Sequence, residues 1–390
     1  MRAALFAVTV LMATSVFGTA SAQPNVPVAG EAALRTDGPV GQCAPPSQQV
    51  NEQMSWAQRR MASDRVWPLT RGTGIVGVVD TGVSAEAPAL AGAVLPGTNL
   101  VGGRGDGDCF GRGTFIAGLI AARPAGGPFT GVAPGVRVFP VRVSDDPPRI
   151  QDHAALATAI GNGIRASVDA GARVVAVGLV ATLGVPQLEQ ALAYAAQRDV
   201  VVVASVSAPR SGQLTFPARY PGVLAVAPIG PTGPPQQLLH GAQPILAAPG
   251  QELVSIGPRG PGHRGASGGE LAVGYVAGVV ALVRSYHPAL KASQVIERLT
   301  ATADPPGGAV PDEAVGFGVV NPFAAVTTLM DTGPPPRPVT EHLAVPHVAV
   351  PDEGPARRAL WFAGAIAAVA LLAVGPAVAV AQRRSRRRTE

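Results

Sequence analysis

The sequence predicts an exported α/β domain, with a mostly parallel sheet flanked by helices on both faces, and one C-terminal transmembrane helix. Three observations predict this architecture. Short apolar runs alternate with longer stretches of helical periodicity, an apolar run follows the N-terminal Met-Arg, and a longer one lies near the C-terminus. Strands that are apolar throughout must be covered on both faces, as they are in parallel sheets between helices.

Residues 1–22 have the organisation of a secretory signal peptide. Arg2 supplies one positive charge, residues 3–17 are apolar, and small residues follow through Ala22. This order of charge, apolar core and small residues is typical of a cleaved export signal. We therefore expect export, with cleavage after Ala22, and a loop-like N-terminal extension over residues 23–48.

The C-terminal region reads as a membrane anchor. Residues 331–358 are rich in proline and predict an extended linker. The uncharged run 359–381 would span about 34 Å as a helix, enough to cross a hydrocarbon core of about 30 Å. The tail, 382–390, carries five arginines. By the positive-inside rule, the tail lies in the cytoplasm and the large domain lies outside the cell membrane.

The charge pattern argues against a nucleic-acid-binding protein. The formal net charge is +5, and the arginines of the tail account for most of it. The excess is therefore a signal of membrane topology. No acidic cluster has the spacing of metal ligands, so the sequence predicts no metal and no cofactor.

The two cysteines, Cys43 and Cys109, both precede the predicted membrane span. An oxidising compartment favours their pairing, which would tie the N-terminal extension to the main domain. The alternative is two separate small hydrophobic side chains. We expect one disulfide.

Residues 49–330 predict a single domain, because about 280 residues bury one sizeable core. Its predicted strands and helices alternate along the chain. The strands are 74–79, 136–143, 173–179, 200–204, 223–228 and 245–247, and the helices are 112–122, 152–170, 186–197, 271–286 and 292–303.

Three motifs suggest a catalytic scaffold. Asp80 stands at the C-terminal end of the first strand, in Val-Val-Asp-Thr-Gly. The segment 108–118 (Asp-Cys-Phe-Gly-Arg-Gly-Thr-Phe-Ile-Ala-Gly) opens one helix, and 268–278 (Gly-Gly-Glu-Leu-Ala-Val-Gly-Tyr-Val-Ala-Gly) opens another. This order resembles the subtilisin-like serine peptidases, whose triad runs Asp, His, Ser along the chain.

The chain is still more similar to the mycosins, the membrane-anchored subtilases of type VII secretion. Residues 56–60, 65–72 and 216–226 carry that likeness, together with the signal, linker, anchor and cysteine pair. The resemblance implies a subtilisin-like fold and association with a type VII secretion membrane complex.

The resemblance also implies site positions, and most of them depart from the family pattern. Asp80 matches the triad aspartate, Arg112 stands at the histidine position, and Glu270 stands at the serine position. Ser207 is the nearest match to the asparagine of the oxyanion hole. An arginine cannot accept a proton near neutral pH, and a carboxylate is not a hydroxyl nucleophile.

If the fold is retained, Asp80, Arg112 and Glu270 converge in one pocket. A desolvated guanidinium must be paired, so we expect Arg112 to bridge both carboxylates. In the alternative, Glu270 merely caps its helix and Arg112 pairs with Asp80 alone.

Ser267 and His263 are an alternative catalytic pair that the sequence offers. Ser267 lies three residues upstream of the serine position. It also begins a Ser-Gly-Gly-Glu pattern, which predicts a capping box at the start of the helix rather than a nucleophile.

The sequence thus predicts a mycosin-like pseudoprotease that stabilises a type VII secretion complex from outside the membrane. Whether any activity remains is left open. The alternatives are an active endopeptidase that processes exported polypeptides and a peptide-binding module that does not cleave.

Overall fold

The computed structural model of the chain describes residues 43–125, 127–145, 150–235, 239–330, 358–366 and 368–369. The chain divides into two units, Met1–Met330 and Asp331–Glu390. The predicted signal peptide, the linker up to residue 357, the tail and most of the predicted transmembrane helix lie outside the described residues. Residues 358–366 and 368–369 are helical. Among the described residues, no helix has both the length and the apolar character needed to cross a membrane.

A parallel sheet of seven strands forms the centre of the first unit. Its spatial order is β2-β3-β1-β4-β5-β6-β7, and every neighbouring pair is parallel. In the central strands nearly every residue is buried, which explains their uninterrupted apolar sequence. The strands are β1 Ile75–Asp80, β2 Thr98–Asn99, β3 Arg137–Arg142, β4 Val174–Val177, β5 Val201–Ser205, β6 Leu224–Ile229 and β7 Leu246–Pro249.

Helices cover both faces of this sheet, so the predicted fold class is confirmed for the large unit. One apolar cluster contains side chains of α2 and α5, such as Phe115 and Val276. The other contains side chains of α3 and α4, such as Ile160 and Leu188. The helices are α1 Trp56–Met61, α2 Arg112–Ala121, α3 His153–Asp169, α4 Pro186–Gln197, α5 Ala272–Tyr286, α6 Ala292–Ala301 and α7 Pro322–Thr327.

The sequence analysis did not predict an antiparallel hairpin that precedes α5. Its strands are β8 Leu253–Ile256 and β9 His263–Ala266, and they pair from Leu253 with Ala266 to Ile256 with His263. With four residues each, they are too short to give a clear alternation in the sequence. The hairpin matters because β9 leads directly into the turn that carries Glu270.

The predicted capping box at Ser267 is wrong. The Ser267 hydroxyl accepts a hydrogen bond from the Glu252 amide at 2.9 Å, at the start of the hairpin. A 3-10 turn, Gly269–Leu271, follows, and α5 begins only at Ala272 without a side-chain cap. Ser267 therefore bonds to the hairpin, five residues before the first residue of the helix that it was expected to cap.

The predicted disulfide between Cys43 and Cys109 is confirmed. Next to it, the Ala44 amide donates to the Cys109 carbonyl at 2.7 Å. The disulfide thus joins the beginning of the described chain to the loop that precedes α2.

Candidate active site

Asp80, Arg112 and Glu270 come together at the C-terminal edge of the parallel sheet. Asp80 is the last residue of β1, Arg112 is the first residue of α2, and Glu270 lies in the turn before α5. In α/β sheets this edge is where ligands and reacting groups usually lie. The sequence-predicted residues therefore share one site, although they are far apart along the chain.

Arg112 and Asp80 form a two-pronged ion pair. The guanidinium donates from Nε to Oδ1 and from Nη2 to Oδ2 of Asp80, both at 3.1 Å. The Asp80 side chain is 0% exposed and that of Arg112 is 10% exposed. A carboxylate and a guanidinium removed from water must be paired in this way.

Two backbone groups complete the surroundings of this pair. The Thr81 amide donates to Asp80 Oδ1 at 2.7 Å, and Arg112 Nη2 also donates to the Gly178 carbonyl at 2.9 Å. Gly178 follows β4, and a Cβ there would lie 2.1 Å from Asp80 Oδ2. The site therefore requires glycine at position 178, since any side chain would displace the aspartate.

Glu270 is the third member of the network. Its Oε1 lies 3.6 Å from Arg112 Nη1, and its side chain is 15% exposed. The guanidinium thus lies between two carboxylates, as the sequence analysis expected. One cation and two anions leave the cluster with a formal charge of −1.

Asp108 fixes the start of α2, and the sequence analysis did not recognise it as a site residue. Its Oδ1 accepts hydrogen bonds from Thr81 Oγ1 at 2.9 Å and the Gly111 amide at 2.7 Å. Its Oδ2 accepts from the Thr114 amide at 2.8 Å and the Thr114 hydroxyl at 2.7 Å. Burial raises the pKa of Asp108 to about 6, although these hydrogen bonds act in the opposite direction.

Asp108 orients Arg112 because it ties the first turn of α2 to the end of β1. Gly111, at φ 91°, occupies the left-handed region and turns the chain into the helix. The sequence carried a signal for this role, an aspartate three residues before the glycine that opens a helix. Such residues commonly accept hydrogen bonds from helix N-terminal amides.

Ser207 lies just after β5 and packs against the turn that carries Glu270. A Cβ on Gly269 would lie 1.7 Å from Ser207 Oγ, so the serine closes the space beside Gly269. The hydroxyl is buried and has no hydrogen-bond partner among the residues that the structure describes. Ser207 therefore borders the site without joining the ion network.

His263 and Ser267 have other partners. His263 Nδ1 accepts a hydrogen bond from the Asn51 amide at 2.8 Å, and Ser267 is bonded to Glu252. His263 is 5% exposed. Both side chains thus serve the packing of the hairpin, and this geometry offers no support for a Ser267–His263 catalytic pair.

The three residues form an ion network in which one guanidinium lies between two carboxylates. None of the three network residues carries a hydroxyl, thiol or amine that a neighbouring base could activate. Both carboxylate oxygens of Asp80 accept hydrogen bonds from Arg112. The ion network therefore holds the charges of Asp80, Arg112 and Glu270 in a fixed geometry.

Comparison with known proteins places this chain in a family. A model described as "Subtilase family" matches residues 72–318. Mycosin-3 of Mycobacterium tuberculosis is 31% identical, over 83% of this chain and 83% of its own length. Mycosin-4 of the same organism is 34% identical, over 83% of this chain and 80% of its own.

The chain is also similar to a chain of a solved membrane complex. A chain in a structure titled "Structure of an intact ESX-5 inner membrane complex" is 28% identical, with a TM-score of 0.64. The match covers 92% of the present chain and 100% of the other one. The likeness therefore extends over nearly the whole length of both.

Proposed function

Because this chain belongs to the subtilase family and, within it, to the mycosins, we propose that it is a membrane-anchored pseudoprotease that supports a type VII secretion complex from the extracytoplasmic side. The observation that carries this proposal is the ion network of Asp80, Arg112 and Glu270. It occupies the edge of the sheet where a subtilase carries its triad.

The proposal assigns each site residue to a family position. Asp80 is the retained triad aspartate, Arg112 takes the place of the histidine, Glu270 takes the place of the serine, and Ser207 lies near the asparagine of the oxyanion hole. The order of the first three along the chain supports this assignment, as does their placement at the end of β1, the start of α2 and the turn before α5.

These replacements remove both groups that transfer the proton and attack the substrate. Arginine has no lone pair available near neutral pH, and it is held by hydrogen bonds to Asp80 and to Gly178. In subtilisin, loss of the serine or the histidine alone lowers kcat by about 10⁶. Here both positions are changed, and the remaining aspartate has no imidazole to orient.

The secretion role is supported by the similarity to a chain of a solved ESX-5 inner membrane complex. A supporting protein needs a stable surface and a place in the membrane, and neither requires catalysis. The proposed organisation meets this need with a signal peptide (1–22), an N-terminal extension (23–48), a subtilase domain (49–330), a proline-rich linker (331–358), a membrane helix (359–381) and a cytoplasmic tail (382–390).

Co-purification tests this function. Full-length protein, solubilised in detergent from its own host, is expected to bring down the membrane components of a type VII secretion system. A form that ends at Arg358 is expected to leave the membrane fraction and to bring down less of the complex, because the anchor adds a second attachment.

The matched control is Glu270→Gln, which changes the charge of the cleft and leaves the remainder of the surface intact. This variant is expected to co-purify with the same components as the unchanged protein. Recovery of the full-length protein without any secretion component would contradict the proposed role. Loss of the components with Glu270→Gln alone would point to peptide binding in the cleft instead.

A further inference from the structure

The beginning of the described chain forms a strap along the edge of the hairpin. We define the strap as residues 43–51. The Ser47 amide donates to the Arg259 carbonyl at 2.8 Å, the Gly262 amide donates to the Ser47 carbonyl at 2.8 Å, and the His263 amide donates to the Gln49 carbonyl at 2.7 Å. The strap thus pairs with the hairpin turn and with His263, the first residue of β9.

His263 also contacts the strap through its imidazole ring and its carbonyl oxygen. Its Nδ1 accepts a hydrogen bond from the Asn51 amide at 2.8 Å, and its carbonyl accepts one from the Ser47 hydroxyl. The ring packs against Phe129, with 5.4 Å between the ring centroids. A Cβ on Gly127 would lie 3.3 Å from His263 Cε1, so the ring is enclosed on that side as well.

This geometry depends on a neutral imidazole. Nδ1 accepts a hydrogen bond from the Asn51 amide, so it carries no proton of its own, whereas an imidazolium has N–H groups on both nitrogens. Protonation would place two donors face to face, with the ring only 5% exposed to water. The hydrogen bond and the charged state of the ring are therefore incompatible.

We propose that His263 is a pH-sensitive clasp, which holds the strap on β9 while its imidazole is neutral and releases residues 44–51 when the imidazole is protonated. The disulfide at Cys43 keeps the released segment attached to the domain. Release would free the backbone groups of Arg259, Gly262 and His263, with which another extended segment can pair. This inference does not depend on the proposed function.

Charged residues on the surrounding elements do not reverse the expected direction. The strap is followed by Glu52, the hairpin turn carries Arg259, and β9 carries Arg264 on the opposite face of the strand. The segment that contains Gly127 and Phe129 includes no charged residue. Burial is the single cause that lowers the pKa of His263 from its ordinary value of 6.5.

The sign of the effect follows from this lowered pKa. Between the folded pKa and 6.5, the opened strap binds more protons than the closed one. Above pH 6.5, the ordinary pKa of histidine, the neutral imidazole therefore holds the strap fully. Below this pH, the free energy that holds the strap closed decreases as the pH falls. Between pH 7.5 and pH 5.0 the opened population is expected to rise by up to about 30-fold.

Hydrogen–deuterium exchange of the full-length, detergent-solubilised protein tests the clasp. Exchange of peptides covering 44–51 and 263–266 is measured at pH 7.5 and pH 5.0 and corrected for the intrinsic pH dependence of amide exchange. In the unchanged protein, protection of both segments is expected to fall at the lower pH. Equal corrected protection at the two pH values would overturn the proposal without any variant.

Two variants separate the clasp from general acid sensitivity. His263→Asn keeps an acceptor near Nδ1 but does not titrate, so the ratio of exchange rates between the two pH values is expected to approach one. His153→Asn is the matched control, because His153 Nδ1 also accepts a backbone amide, that of Thr182 at 3.3 Å, far from the strap. It should retain the ratio of the unchanged protein. The same pH response in His263→Asn as in the unchanged protein would contradict the proposal.

Discussion

Replacement of Arg112 by alanine is expected to lower the free energy of unfolding of the large domain by about 3–5 kcal/mol. The change leaves Asp80 as a fully buried carboxylate, since its side chain is 0% exposed and only the Thr81 amide would still donate to it among the bonds described above. For a domain of this size the melting temperature should fall by roughly 10 °C. Thermal and denaturant unfolding of the protein measure this loss.

A surface pair provides the control for this experiment. Arg60 and Asp304 also form an ion pair, at 2.7 Å, but their side chains are 33% and 42% exposed. Arg60→Ala is expected to cost less than about 1 kcal/mol, because water screens and solvates both groups. An Arg112→Ala variant no less stable than Arg60→Ala would contradict the importance given to the buried network.

The double variant Asp80→Leu with Arg112→Met distinguishes pairing from packing. Replacing both partners of a buried ion pair with apolar residues of similar size is often nearly neutral. The double variant should therefore recover most of the stability that Arg112→Ala loses. If it is as unstable as the single variant, the loss comes from packing of the arginine side chain rather than from the unpaired carboxylate.

Removal of the disulfide is the second change with a large expected effect. Cys43→Ser combined with Cys109→Ser opens a covalent loop with a sequence separation of 66. The chain-entropy argument predicts a loss of about 4 kcal/mol, because the unfolded state regains the freedom of that loop. Addition of a reductant to the unchanged protein should lower its free energy of unfolding by the same amount.

The location of this loss is as informative as its size. Cys109 lies between Asp108 and the turn at Gly111, so the disulfide also steadies the loop that positions Arg112. Increased hydrogen exchange is expected in the strap and in the loop before α2, with β4 and β5 unchanged. A variant with unaltered stability would contradict the contribution assigned to the disulfide.

The sheet could be predicted from the sequence because its strands are buried on both faces. Runs such as 174–177 and 201–205 contain few polar residues and are separated by helices, which leaves a parallel arrangement as the consistent solution. The ion network was predictable for a related reason. An arginine that is removed from water requires anionic partners, and the resemblance to the subtilases predicted two carboxylates beside it.

Other features could not be predicted because they depend on contacts between distant parts of the chain. Nothing near Ser267 indicates that its hydroxyl bonds to Glu252, so the local Ser-Gly-Gly-Glu pattern suggested a cap that does not form. The role of His263 depends on Asn51, more than two hundred residues away. Asp108 was visible in the motif, but its four hydrogen bonds become apparent only when β1 and α2 are packed together.

Labelling with a fluorophosphonate probe tests the proposal that the cleft contains no activated nucleophile. The probe reacts only with a serine whose hydroxyl is activated by a base. Folded full-length protein is expected to show no labelling under conditions in which an active subtilase is labelled completely. Labelling that disappears on replacement of Ser267 or Ser207 by alanine, together with hydrolysis of casein that Asp80→Ala abolishes, would contradict the account.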